Sequence, residues 1–389
     1  MKFFHLSDLH IGKQLIGRSL KENQEAVLKQ IVDYADKIHP EAVLICGDIY
    51  DKTVPSGEAY TIFGNFLDAL SEIKPKITVL IIAGNHDSPE RLSYAGSFLE
   101  KHSIHLSVFP PKRPEEHLKK VVLQDEYGPV NFYLLPFLKP GYVRQLLVEN
   151  PPDGYESAVR AVLEREMIDE KERNVILSHQ FYTGSGKDPE TCESEQAVIM
   201  AGGLDRVDAS VLSKFDYAAL GHIHGSQKVL QDTIRYCGTP YKYSVSEEHH
   251  KKSITVVTLN KKGDAPELEF LPLSGIQDVR RERGSLVELL ERATEDKRHD
   301  FVSITLTDDE EPYRIRERLE EVYDHLLELR VDNERTRRIL TEQGDMVPVL
   351  NPLEAFRQFY KAIRNEEMTP AVQKVMEEIV QEAKEEEGL

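Results

Sequence analysis

Apolar residues in the first 260 positions fall into short runs rich in β-branched side chains, several of them stopped by a turn that carries Asp, His or Asn. Lys2–Leu6, Ala42–Cys46 and residues 77–83 are apolar almost throughout, the pattern of strands buried on both faces of a parallel sheet. Residues 20–38, 58–73 and 89–102 lie among these runs with helical periodicity, and such alternation predicts an α/β domain. Residues 175–177, 217–220, 233–237 and 253–259 read as a second set of strands. Together they predict two β-sheets flanked by helices, ending near residue 272.

The pattern changes after residue 273. Residues 285–294 and 313–323 have helical spacing, whereas 301–306 and 326–331 read as strands, giving a small α/β module over 273–335. It contains no catalytic constellation. Residues 336–350 read as a linker, and 351–389 as a helical tail. In that tail Leu353, Phe356, Phe359, Tyr360 and Ile363 recur at helical spacing. Thr369-Pro370 then opens a second helix with Val372, Val375, Met376, Ile379 and Val380 on one face. Two short amphipathic helices either pack back on their own domain or lie in the groove of a partner.

Composition narrows the class. The 389 residues, 40% of them hydrophobic, suffice for two or three domains of ordinary size. No early segment has the pattern of a cleavable leader, and no apolar run reaches the roughly 18 residues of a membrane span, so a cytoplasmic protein is expected. Cys46, Cys192 and Cys237 are odd in number and scattered, which indicates neither a disulfide framework nor a thiolate metal site. Cys46, inside a strand, reads as packing.

A net charge of −19 opposes autonomous binding to nucleic acid, where neutralisation of phosphates drives affinity. A nucleic-acid role therefore needs local cations. Lys13, Arg18, Lys52, Arg91 and Lys139 lie in or near the turns that follow the strands, although each alone reads equally well as solvated surface. The tail contributes much of the acidity, with eight Asp or Glu against three Lys or Arg over residues 364–389.

The candidate chemistry sits in five motifs: Asp8-Leu9-His10, Gly47-Asp48-Ile49-Tyr50-Asp51, Gly84-Asn85-His86-Asp87, Ser178-His179 and Gly221-His222-Ile223-His224. Any one of them is ordinary turn chemistry. All five in this order, each after a predicted strand, would meet at the carboxyl ends of a sheet, where open α/β folds bind ligands. Asp8, His10, Asp48, Asn85, His179, His222 and His224 supply seven ligand side chains, too many for one tetrahedral ion and suited to two ions that share the Asp48 carboxylate. Two ions about 4 Å apart can clamp a phosphoryl oxygen and activate a water. Imidazole, carboxylate and amide donors without thiolate favour manganese first, then zinc or iron. His5, His39, His102, His105, His117, His249, His250, His299 and His325 lack this context and read as surface or satisfied core.

The order D-x-H, G-D-x-x-D, G-N-H-D, a single His and G-H-x-H resembles the calcineurin-like metallophosphoesterase superfamily. Within it, HLSDLHIGKQL, GDIYDKTVPSGEAY, GNHDSPERL and YCGTPYKYSVSEE resemble the SbcD-type nucleases, over nearly the whole chain. The resemblance implies a four-layer phosphoesterase sandwich, a capping domain that helps to hold DNA, and a tail that binds an SbcC-type coiled-coil ATPase. It implies that Asp8, His10, Asp48 and His224 hold one ion, and Asp48, Asn85, His179 and His222 the other. His86 then stabilises the phosphorus centre or protonates the departing sugar oxygen, and Asp51 orients His86. The implied activity is manganese-dependent exo- and endonucleolytic cleavage of double-stranded DNA ends and hairpins.

The resemblance also implies a homodimer through helices of the region that bears Tyr60, Phe63, Phe66 and Leu67, with Tyr94 and Phe98 nearby. Core packing is the competing reading of those side chains. Two other functions compete with the nuclease. A stand-alone phosphatase or small-nucleotide phosphodiesterase would need neither module nor tail, and a non-catalytic DNA-end scaffold would not need seven intact ligand positions.

Overall fold

The computed structural model describes residues 1–333 apart from 95, 145, 147–150, 185–186, 197–204 and 310–311. Beyond 333 it describes only 353, 356, 357, 360, 361, 368–370 and 372–376. Two six-stranded mixed sheets form the main body. In the first, Lys2–Leu6 lies at the centre, parallel to Ala42–Cys46, with Thr78–Ile82 and Ile104–Ser107 continuing outward. Its other edge is closed antiparallel by Ser253–Thr258 and Glu267–Pro272. The second sheet runs Gln227–Lys228, Ile234–Tyr236, Tyr217–Gly221, Arg173–His179, Gly128–Leu135 and Lys119–Asp125.

Strand periodicity explains the layering, because alternate side chains leave opposite faces. Phe3, Leu44, Leu80 and Ile82 meet Phe132, Leu134, Val175 and Leu177 between the sheets, where Phe3 and Phe132 pack edge to face at 5.6 Å. From the other face of the first sheet, Phe4, Leu6, Val43 and Ile45 pack on Leu28 and Ile31 of helix Lys21–Ile38 and on Ile62, Phe66 and Leu70 of helix Gly57–Glu72. Tyr133, Ile176, Ala218 and Leu220 cover the second sheet against Val159 and Val162 of helix Tyr155–Glu164. The result is four layers, helix, sheet, sheet and helix, as the sequence leads one to expect. No described helix is long and apolar enough to cross a membrane.

Three departures are instructive. The helix expected over 89–102 is two short ones, Pro89–Leu92 and Gly96–Lys101, because Ser93 caps the first and the Gly96 amide turns back on the Ser93 carbonyl at 3.0 Å. Phe63, Phe66 and Leu67 are core side chains, which leaves Tyr60, Tyr94 and Phe98 as the exposed aromatics of that region. The residues after the sandwich begin with a strand that periodicity misses: Val279–Gly284 is highly charged and pairs parallel with the edge of Phe301–Leu306. Its arginines can lie flat on the sheet by their methylene stems.

Val279–Gly284, Phe301–Leu306 and His325–Val331 form a separate parallel sheet covered by helices Leu286–Arg292 and Ile315–Glu320. This module shares a core with the main body, in which Val279, Phe301 and Leu327 meet Leu15, Val27, Tyr241 and Tyr243. The 336–350 stretch and the tail positions Phe359, Ile363 and Ile379 lie outside the described residues. Leu353, Phe356 and Tyr360, and separately Val372 and Val375, are in helical conformation.

Candidate metal centre

Every motif projects from the carboxyl end of a strand of the sandwich. Asp8 and His10 follow Lys2–Leu6, Asp48 follows Ala42–Cys46, and Asn85 and His86 follow Thr78–Ile82. His179 ends Arg173–His179, while His222 and His224 follow Tyr217–Gly221. The two sheets thus aim five turns at one space.

Donor atoms crowd there without the partners such atoms normally take. His10 Nε2 and His224 Nε2 face each other at 3.2 Å. The Asn85 Oδ1 atom lies 3.0 Å from His179 Nε2 and 2.9 Å from His222 Nδ1. Asp48 Oδ2 stands between the two groups, 3.3 Å from His179 Nε2 and 3.8 Å from His10 Nε2. Asp8, His10 and His224 form one set of converging donors, and Asp8, Asp48 and His179 another. His10 Nδ1 is buried without a hydrogen-bond partner.

The backbone is held in an unusual state to achieve this. Asp8, His10, Asp48 and His222 have φ of 52°, 42°, 49° and 100°. Non-glycine residues rarely adopt such angles, which cost on the order of 1–3 kcal/mol each and persist only where surroundings over-determine them. Here the Asp8 amide donates to the Gly47 carbonyl at 3.0 Å and the His10 amide to the Asp48 carbonyl at 2.9 Å, locking the first two loops together. Asp87, buried behind them, accepts from the amides of Ile49, Tyr50 and Gly84 at 3.2, 3.1 and 2.9 Å. Burial, with Asp48 nearby, pushes its carboxyl up to about 6. Gly84 is required because a Cβ would strike the Asp48 carboxylate.

Electrostatics point to missing positive charge. Burial pushes the Asp8 carboxyl up. Burial acts the same way on Asp48, but His179, His86 and His10 outweigh it and hold that carboxyl well below its usual range. Burial opposes charge on His179 and His224 too, yet Asp48 lifts the first to about 9, and hydrogen bonds donated to Cys192 and Glu247 help lift the second to about 10. Burial holds His222 down at about 3 and His10 well below its usual value. The protons that buried carboxylates keep on neighbouring imidazoles are the positive charges a divalent cation replaces, because metal ligation needs those imidazoles neutral. The donor set, its convergence and its charge therefore fit divalent ions.

The remaining predicted site residues fall as follows. His86 is half-buried, its ring 4.9 Å from that of His10, and its amide donates to Asp48 Oδ1 at 2.8 Å. Asp51 does contact His86, but through its carbonyl oxygen, 2.9 Å from Nδ1, rather than its carboxylate. The carboxylate turns instead to Lys13 Nζ at 2.8 Å, so Lys13 is a neutralised cation of the loop. Arg18 sits in a small hairpin beside Phe301 and His325, towards the module. Lys52, Arg91 and Lys139 are exposed on segments next to the site.

Sequence reading missed the residues behind His224. Glu247 and Lys252 are buried there, and Tyr243 packs its ring 5.5 Å from His10 while its hydroxyl donates to the Leu9 carbonyl. Gln24 donates to the His10 carbonyl at 2.8 Å. The available signal was Glu247 within YCGTPYKYSVSEE, an acid in a stretch otherwise suited to a core.

The chain belongs to the calcineurin-like phosphoesterase family, whose profile matches residues 1–226. It is accordingly a hydrolase of the metal-dependent phosphoesterase class. Residues 276–364 match the type 5 capsule protein repressor C-terminal domain. The chain is 28% identical over 332 residues to the SbcD component of the SbcCD nuclease of Staphylococcus epidermidis, covering 85% of each. Among solved structures it is similar to GAP50, the anchor in the inner membrane complex of Plasmodium, at 13% identity with 70% of this chain and 89% of that one covered and a TM-score of 0.38. A dimetal phosphatase from Danio rerio gives 13% identity, 69% and 95% coverage and a TM-score of 0.37.

Proposed function

We propose that this chain is a manganese-dependent DNA nuclease, cutting duplex ends and hairpins together with an SbcC-type coiled-coil ATPase. The observation that carries the reading is the position of Asp48 Oδ2 between His10 and His179, with five strand ends delivering Asp48 and six further donor residues to one space. Asp8, His10, Asp48 and His224 would hold one ion and Asp48, Asn85, His179 and His222 the other. Such a pair, when bound, supplies activation of water and neutralisation of phosphoryl charge. The protein's own part is orientation. His86 gives its Nδ1 proton to the Asp51 carbonyl, which turns the Nε2 edge outward as the edge able to stabilise the phosphorus centre or pass a proton to a departing oxygen.

Lys52, Arg91 and Lys139 would receive the DNA backbone at the rim, offsetting the overall charge of −19. Similarity to one component of a two-component nuclease supports the ATPase partner, and the match over residues 276–364 supports a specialised module and tail. We assign 1–272 to the nuclease domain, 273–335 to the capping domain and 351–389 to partner binding, in a cytoplasmic, nucleoid-associated homodimer. Exposed Tyr60, Tyr94 and Phe98 are the candidate dimer surface, and a monomeric mass in sedimentation at micromolar concentration would remove that part of the reading.

The deciding assay gives the purified chain end-labelled duplex, hairpin DNA and a small phosphodiester, each with Mn²⁺, Mg²⁺ or chelator. Cleavage of both DNAs with Mn²⁺ is the expected result. Turnover of the small diester alone would favour a stand-alone phosphodiesterase, and no turnover at all a scaffold. Deleting residues 351–389 should abolish ATPase binding and spare hydrolysis of the small diester, since each apolar side chain buried in a groove contributes roughly 1.5–3 kcal/mol.

A further inference from the structure

His224 is gripped from behind by a buried ion pair, Glu247 with Lys252. Its Nδ1 lies 2.8 Å from Ser194 Oγ, which in turn donates to Glu247 Oε1 at 3.0 Å, and the carboxylate oxygen is itself 3.5 Å from Nδ1. Glu247 is fully buried. Its carboxylate also accepts from Lys252 Nζ at 2.6 Å, the Tyr243 amide at 3.2 Å and Ser244 Oγ at 3.1 Å. Lys252 closes the arrangement by donating to the His224 carbonyl at 3.0 Å and to Thr239 Oγ1 at 2.6 Å. One ion pair thus holds His224 by its ring and by its main chain.

From this geometry we infer that Glu247, held in place by Lys252, is the positioning residue of His224 and sets the affinity of one of the two metal positions. The inference deepens the binuclear reading above and rests on it. A ring whose Nδ1 proton is committed to Ser194 and Glu247 must present Nε2, the atom that faces His10 Nε2, to an ion. Partners of this kind fix the tautomer and ring direction of a ligand, and removing one typically weakens metal affinity about 10–100-fold. The other position draws on His179, which donates to the Cys46 carbonyl, and on Asn85, neither of which touches Glu247 in any contact described. The effect should therefore be confined to one ion.

The module is tied to the same segment. Lys242 Nζ bonds Asp278 at 2.7 Å, and the Arg281 amide bonds the Glu248 carboxylate at 2.9 Å, one residue from Glu247. The strut behind His224 is consequently braced by the domain that follows the sandwich.

Titration of metal-free full-length protein with Mn²⁺ by calorimetry, with EPR of the loaded protein, tests this. The wild type should bind two ions and give a spin-coupled signal. Glu247→Gln, which keeps the shape and loses the charge, should hold one ion normally, bind the second about 10–100-fold more weakly and lose the coupled signal at limiting metal. Excess Mn²⁺ should restore near-normal kcat. Two ions at wild-type affinity would overturn the inference, and equal weakening of both would reduce Glu247 to general support and overturn it too. If Glu247→Gln does not fold, Glu247→Asp decides, since it keeps the charge but draws the carboxylate back from His224: selective weakening of one ion supports the inference and unchanged binding rejects it. A wild type that binds fewer than two ions would instead sink the binuclear reading.

Discussion

The two ends of the sandwich treat buried charge in opposite ways. At the end where strands such as Lys2–Leu6 and Arg173–His179 begin, Arg173 meets Asp125 through both terminal guanidinium nitrogens, with one contact at 2.9 Å. The same two nitrogens also donate to the carbonyls of Gly128 and Asn260 at 2.7 and 2.9 Å, and the amino group of Met1 reaches Asp125 at 2.6 Å. Each of these charges has a protein partner. At the other end Asp8 and Asp48 are buried among imidazoles whose nitrogens face one another, on backbone of positive φ. One end is closed by satisfied hydrogen bonds, and the other is left incomplete by the protein alone. Buried groups whose geometry is enforced on strained backbone, with carboxylates facing imidazoles, mark a place where local stability is sacrificed for chemistry.

That contrast is broken most severely at Asp48. Asp48→Asn keeps the volume but removes the charge shared by both donor sets, and it should abolish binding of two ions, read by metal analysis after dialysis. Hydrolysis should fall by about three decades or more, since the clamp supplies several kcal/mol and each 1.4 kcal/mol is about tenfold. A variant that kept two ions per chain would remove Asp48 as the bridge. His86→Ala should lower kcat by about 10²–10⁴-fold with metal content intact, because the ring lies beside the donors and is fixed by the Asp51 carbonyl. Loss of metal from that variant would reassign His86 as a ligand.

Legibility from sequence divides along the same line. The seven donors can be read because each stands just past an apolar strand, so local pattern and global position agree. The paired end could not be read, since Asp125 and Arg173 are 48 residues apart and each looks like any surface charge. Glu247 and Lys252 escaped for a similar reason: their burial depends on Thr239, Ser194 and the carbonyl of His224 all arriving together. The strand Lys119–Asp125 also escaped notice, because as an edge strand it buries only Val121 fully. Pattern reports what one segment does with its own faces, whereas these features belong to segments brought together.

Arg173→Met tests the satisfied end. Asp125 is 10% exposed beside Arg173, and removing that partner leaves its carboxylate with the Met1 amino group as its remaining cation, a loss that typically costs about 3–5 kcal/mol of stability. Denaturant unfolding should record that loss while metal stoichiometry stays at the wild-type value. A change in metal content would mean that the two ends are coupled through the sheets.

The smallest effect is one of pH. Hydrogen bonds from Arg173, helped by the Met1 amino group, hold the Asp125 carboxyl well below its usual value of 3.8 against the opposing effect of burial. A carboxyl depressed in the folded state contributes stability above the unfolded value and loses it as pH falls through the folded one. The wild type should therefore shed this contribution progressively below about pH 4, whereas Arg173→Met has little of it to lose. Protonation of the candidate metal-binding side chains also changes stability in acid, but it does so in both chains and cancels in their difference, because the two ends share no partners among the described residues. The stability gap between wild type and variant, measured by urea unfolding at pH 7, 4 and 3, should be constant over the first interval and narrow over the second. A gap that stayed level down to pH 3 would mean that packing of the guanidinium, rather than its charge, is what secures the closed end.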